Sequence, residues 1–325
     1  MKLPYFSVRS SIIIGALLLL YCCNSPSETE SAIAAVPVDF EIVRFDKAFA
    51  KATPDDLPNL KQRFPDFFPV QYPDSIWVAK LNDTLQDQLE AEVMRTFPSE
   101  EDIREPLHSL FQHIQYYIPN FSPPTVITTT SDVDYRNPVI LADSLLIISL
   151  DTYLGAQHPF YVDMPAYLSK NRVPEQLPQE VASAYARRYI ARPRQRSLLA
   201  QMIYFGKELY LKDLWLPNTT PAQRIGYAEE ELKWAEENEV EMWRYFVENE
   251  MLYSTDAKLL PRFISPAPFS KFYLEIDNDS PGMIGRYLGW QIVRAYMDAQ
   301  EVTVTELLQT RAEEVFSNSK YKPAK

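Results

Sequence analysis

Cysteine is absent from everything past position 23, because the chain's two cysteines, Cys22 and Cys23, stand side by side near its start. The body beyond them can hold neither an internal disulfide nor a zinc–thiolate site. Histidine is almost as scarce, with only His108, His113 and His158. His108 and His113 are five apart, which sends them to different sides of a helix and does not match a His-x-x-x-His metal pair. His158 precedes Pro159 with no nucleophile beside it, and the Gly-x-Ser-x-Gly elbow of a serine hydrolase does not occur. Positive charge is short as well: 32 Lys and Arg against 44 Asp and Glu give a formal −12. Setting aside a leader that carries Lys2 and Arg9 takes the rest to about −14. A surface of that sign repels phosphate backbones and argues against nucleic acid as a partner.

Glycine is the most telling shortage. There are seven in 325 residues, roughly 2% where about 7% is usual. Three of them, Gly282, Gly285 and Gly289, crowd into residues 280–297. Ser280 suits an N-cap and Pro281 the first helical position, so the spacing predicts a helix beginning there. The three glycines share one face, beside an apolar stripe of Ile284, Leu288, Ile292 and Tyr296. Each interior glycine costs about 1 kcal/mol relative to alanine, so close approach of another backbone or of a ligand must offset it. The Gly-x-Gly-x-x-Gly order is missing, and phosphate binding places glycines in the turn before a helix. Tight helix packing is the simpler reading.

What is present begins with an export signal. Lys2 and Arg9 form a positive n-region, and residues 12–20 an apolar run too short to span a bilayer comfortably. The following Leu20-Tyr21-Cys22-Cys23-Asn24 resembles a bacterial lipobox, with Cys23 as the acylated residue, since a cut before Cys22 would leave bulky Tyr21 at the cleavage site. The expected organisation is a lipoprotein signal peptide over 1–22, a flexible Ser, Pro, Glu and Ala tether over 23–37, and one domain over 38–325. With 46% hydrophobic and 13% aromatic residues, that domain has ample material for a core.

Alternation predicts a strand near 38–45, and β-rich stretches at 126–130 and 139–150 suggest a hairpin or two adjacent strands. Helices are expected at 77–95 and from Ser99, with Asp102 completing a capping box. Beyond 178 the chain reads as mostly helical, at 179–190, 195–211, 222–238, 240–252, 280–298 and 303–317, with a short alternating piece at 269–276. A small sheet followed by many helices in one unit is an α+β arrangement. The acidic clusters at 229–231, 236–237, 239 and 241 read as a solvated helix face.

The helix at 179 carries a degenerate motif. A zinc peptidase places His-Glu-x-x-His there, so that residues i and i+4 aim two imidazoles at one Zn²⁺ while the Glu polarises water. Glu180 occupies the base position, but Gln179 and Ser183 replace both ligands. One helix later, Phe205 stands before Gly206 where such folds can carry a Glu-Gly with the third ligand. Amide, hydroxyl and phenyl groups do not substitute for that set.

Several long segments occur in an order that carries a resemblance. They are residues 198–210 (Leu-Leu-Ala-Gln-Met-Ile-Tyr-Phe-Gly-Lys-Glu-Leu-Tyr), 225–227 with 232–235, and 262–274 (Arg-Phe-Ile-Ser-Pro-Ala-Pro-Phe-Ser-Lys-Phe-Tyr-Leu) running into 289–294. Residues 150–155 and 158–161 add to them. Together they resemble the gliding-motility lipoprotein family GldB of Bacteroidetes-type bacteria over most of 38–300. The resemblance implies a palmitate-bearing lipoprotein needed for gliding, tied to the type IX secretion apparatus, with no established enzyme activity. That family is itself similar to predicted zincin-like zinc proteases, so the expected scaffold is a degenerate zincin with Gln179, Glu180, Ser183 and Phe205 at the former metal site and Gly282, Gly285 and Gly289 on its signature helix. No catalytic residue, cofactor or metal is expected. The expected partners are a membrane, reached through the lipid anchor on the periplasmic side, and other proteins of the gliding and secretion machinery. The rivals are a hydrolase with an unrecognised site near Glu180 and a lipoprotein that binds a small or glycan ligand.

Overall fold

The computed structural model describes residues 27–323. The leader and Cys23 lie outside the described residues. Residues 27–36 belong to a unit of their own and contain one helix, Glu28–Ala34, whose first turn is capped by Ser27 accepting from the Glu30 amide at 3.1 Å. This helix occupies part of the stretch read as a flexible tether.

From Pro37 onward the chain is one unit, mostly helical with one small sheet. The strands are β1 (Ile42–Arg44), β2 (Thr125–Thr129), β3 (Val139–Ala142) and β4 (Leu145–Ser149), in the order β1-β2-β4-β3. The central pairs are parallel, with Ile42 opposite Val126 and Val126 opposite Leu146. β3 closes the edge antiparallel to β4. The tight turn between them passes through Asp143, whose φ of 47° is one that aspartate tolerates better than most residues. The hairpin therefore lies wholly inside the second β-rich stretch, and the first pairs parallel to it. Period-two alternation explains the two faces. Ile42, Val126 and Leu146 enter the main core with Leu107 and Leu110 of helix α1 (Glu101–Tyr117). Val43, Ile127 and Leu145 face a smaller aromatic cluster around Phe45, Phe49 and Phe64.

The remaining helices that position the site are α2 (Leu177–Tyr189), α3 (Leu198–Trp215) and α4 (Ile284–Ala299), with α5 (Ala312–Ser319) packed on α3 and α4. Ser197 caps α3, accepting from the Ala200 amide at 3.2 Å. Helix α2 belongs to the sheet's core, whereas most of α3 and all of α4 build a second core with Met202, Phe263, Trp290 and Ile292. At the α3–α4 crossing the two main chains approach closely through glycines. A methyl on Gly206 would strike the Gly289 carbonyl, and one on Gly289 would strike the Met202 carbonyl. One on Gly285 would come within 2.9 Å of the Phe263 carbonyl oxygen. A carboxylate fastens the same crossing. Asp213 of α3 accepts from Trp290 Nε1 at 2.8 Å, from Arg294 Nε at 2.7 Å and from Arg224 Nη1 at 2.8 Å.

The glycine helix needs one correction. It starts at Ile284, not at Ser280, so Gly282 lies in the loop before it. The reason is local: Met283 is held in the left-handed region at φ 59°, and Ser280 is engaged elsewhere, donating to the Ser270 carbonyl at 3.0 Å and accepting from its amide at 3.2 Å. The glycine face packs on α3, where Gly289 meets Met202 and Gly206. Elsewhere the expected 77–95 helix is broken at Asn82 and Asp83 into Asp74–Leu81 and Thr84–Thr96, with Asp83 capping the second. The alternating piece at 269–276 is no strand but a loop ending in a 3₁₀ turn, Glu275–Asp279.

Candidate functional site

A cleft of about 350 Å³ follows the seam where the two cores meet. Its walls come from α2, α3, the first turn of α4 and the loops at 135–139 and 167–176. Of the four degenerate positions, the fold brings three together: Glu180, Ser183 and Phe205 all line it. Gln179 does not. It is 1% exposed, and neither its amide oxygen nor its nitrogen finds a hydrogen-bond partner among the described residues.

Glu180 is occupied. Its Oε1 accepts from Arg172 Nη2 at 2.5 Å and its Oε2 from the Tyr153 hydroxyl at 2.5 Å. Burial, with the Glu180 charge beside it, pushes the Tyr153 hydroxyl well above the usual phenol range, so Tyr153 remains a donor. Glu208 lies one turn beyond Phe205 on α3. It is buried and bound by Arg187 of α2 at 2.9 and 3.2 Å. Burial alone would raise its carboxyl, but the charges of Arg187, Lys212 and Arg286 hold it below the ordinary range. Phe205 itself supports a cation, with the Arg286 guanidinium carbon 4.0 Å from its ring centroid. Burial brings Arg286 down to about 10 and Lys212 down to about 8.

The result is a basic cleft in an acidic protein. Arg136, Arg172, Arg187, Lys212, Arg224 and Arg286 line it against only Glu180 and Glu208. Arg224 is absorbed by Asp213 and by the carbonyls of Leu216, Pro217 and Thr219. The degenerate motif points to Glu180, Ser183 and Phe205 but not to Glu208 or the cations. A usable signal existed: Lys207-Glu208 and Lys212-Asp213 are charged pairs set in an otherwise apolar helix, and charges at buried helix positions need partners. Such donors suit a divalent cation poorly, since ammonium and guanidinium groups repel it. Among the described residues no three His, Cys, Asp or Glu side chains gather as a metal site.

The histidines stand apart from the cleft. His158 Nε2 lies 3.3 Å from Glu92, and His113 Nδ1 donates to the Ser109 carbonyl at 2.8 Å. The acidic face is mostly exposed as expected, with one exception. Glu239 is buried and accepts from the Tyr287 and Tyr321 hydroxyls at 2.8 and 2.7 Å.

Comparison with protein families places the chain among the gliding-motility lipoproteins. Residues 26–323 match the profile described as gliding motility protein GldB, and the chain belongs to that family. Comparison with curated proteins and with solved structures finds no match. Among the described residues no helix is long and apolar enough to cross a membrane.

Proposed function

We propose that this chain is a lipoprotein anchored through acylated Cys23 that serves the gliding machinery and its associated type IX secretion through protein contacts, without catalysis, on a scaffold descended from a zincin. Family membership supports the motility role. The observation that supports a non-catalytic role is the state of Glu180. A general base for a zinc-bound water needs an accessible carboxylate beside a metal, and both oxygens of Glu180 are already taken by Arg172 and Tyr153. The meeting of Glu180, Ser183 and Phe205 in one cleft supports the zincin ancestry.

Complementation of a gene deletion in a gliding host tests this reading. Wild-type and Glu180→Gln chains should both restore spreading and secretion. Loss of spreading with a stable Glu180→Gln protein at normal abundance overturns the non-catalytic role, and normal spreading by the deletion strain overturns the motility role. Replacing Cys23 with alanine should abolish acyl labelling. Co-purification from separated inner and outer membranes should identify the protein partners and the membrane.

A further inference from the structure

We infer that the basic cleft is a binding site for a small phosphate-bearing molecule, with Arg172 as its principal anchor. Several observations converge. Arg172 is 7% exposed, lines the cleft and pairs through Nη2 with Glu180, yet its Nε and Nη1 have no hydrogen-bond partner among the described residues. Buried donors left unpaired are rare and ask for an acceptor. Arg187, Lys212 and Arg286 line the same space from α2, α3 and α4; Arg187 pairs with Glu208, and Lys212 and Arg286 each donate to one carbonyl, so their positive charge reaches the cleft from several directions with donors in use on one side. That arrangement fits the tetrahedral oxygens of a phosphate, whereas a planar carboxylate is satisfied by a single guanidinium fork.

Size and surroundings narrow the ligand. A cleft of about 350 Å³ lies in the range used for small molecules and has room beyond a phosphate group. Tyr135, Tyr167 and Leu168 offer an apolar wall for the remainder. The chain's overall −12 charge repels long polyanions. A compact anion that reaches the cleft exchanges that repulsion for the local cations. The site goes beyond the role proposed above and stands or falls separately from it.

The test is calorimetric titration of the full acylated chain with inorganic phosphate. Saturable binding is expected, weakened at least tenfold by Arg172→Gln and not weakened by Glu180→Gln, which removes the competing carboxylate. No saturable binding, equal binding by Arg172→Gln, or malonate binding as tightly as phosphate overturns the inference. A merely structural role for the Arg172–Glu180 pair would make both variants lose binding together, which overturns it as well. If Arg172→Gln does not fold, phenylglyoxal labelling of the wild-type chain replaces it: phosphate should slow modification of Arg172, and equal labelling with and without phosphate sinks the site. Competition by glycerol 3-phosphate identifies a soluble monoester, whereas competition by phosphatidate vesicles, and not by phosphatidylcholine vesicles, identifies a lipid headgroup.

Discussion

Arg286 and Phe205 are joined face to cation: the guanidinium carbon lies 4.0 Å from the ring centroid, while its Nε donates to the Ile264 carbonyl at 2.7 Å. The residue that the sequence reading set at a degenerate ligand position thus supports a positive charge. Phe205→Leu keeps apolar bulk and removes the ring, and should lower unfolding stability by about 1–2 kcal/mol in urea titration. Phe205→Glu should bring no zinc to the purified protein by metal analysis, because the new carboxylate meets Arg286 instead.

Gly289→Ala gives a test of sign. In an ordinary helix interior the change stabilises by about 1 kcal/mol. Here the added methyl would run into the Met202 carbonyl. Displacing main chain is more costly than moving a flexible side chain, so destabilisation of about 3 kcal/mol or more is expected by denaturant unfolding. A neutral or stabilised variant would show that α3 and α4 are not in backbone contact.

Lys212 is buried, donates to the Arg224 carbonyl at 3.0 Å and is brought by burial from 10.5 down to about 8. Between those two values the unfolded chain binds more protons at this side chain than the folded one does. Its contribution to stability therefore rises with pH across that window and is flat below it. The slope reaches about 1.4 kcal/mol per pH unit for one group. Lys207 shifts in the same direction for the same reason, so the wild-type curve contains both. Lys212→Met should lose one group's share of the rise, measured as unfolding free energy at pH 7.5 to 10.5. An unchanged slope would contradict the burial of its charge.

Asp213 serves two arginines and one indole at the α3–α4 crossing. Asp213→Asn leaves Arg224 and Arg294 without their carboxylate. Breaking a buried pair costs about 3–5 kcal/mol, and partial exposure of Arg294 reduces that to about 2–3 kcal/mol. Thermal unfolding checks it, and an additional Arg294→Gln change should cost much less than it does in the wild-type background.

The α+β class and most helix positions were legible because periodicity is local. Ser99 and Asp102 form their reciprocal contacts as the capping pattern predicts. What failed was anything set by distant partners. Ser280 has the side chain of an N-cap, but Ser270, ten residues earlier, claims it. The strands at 126 and 145 have the same alternation whether parallel or antiparallel, and only the fold decides their direction. Glu180 and Ser183 share a helix face by their spacing, and Phe205 could be set near them only through the resemblance to zinc peptidases. Arg172 and Arg286 could not, because nothing in the local sequence around either says which cavity its helix or loop will border. Gln179 carried a motif position without sharing the site.

The contact between Gly206 and Gly289 also limits how the sequence can drift. Where two large side chains meet, growth of one can be answered by shrinkage of the other. Here both partners are already the smallest residue, and a Cβ on Gly206 would strike the Gly289 main chain. Neither position has a second-site suppressor in the other. The pair cannot exchange volume as it diverges, so within this architecture any relaxation must come from moving a whole helix.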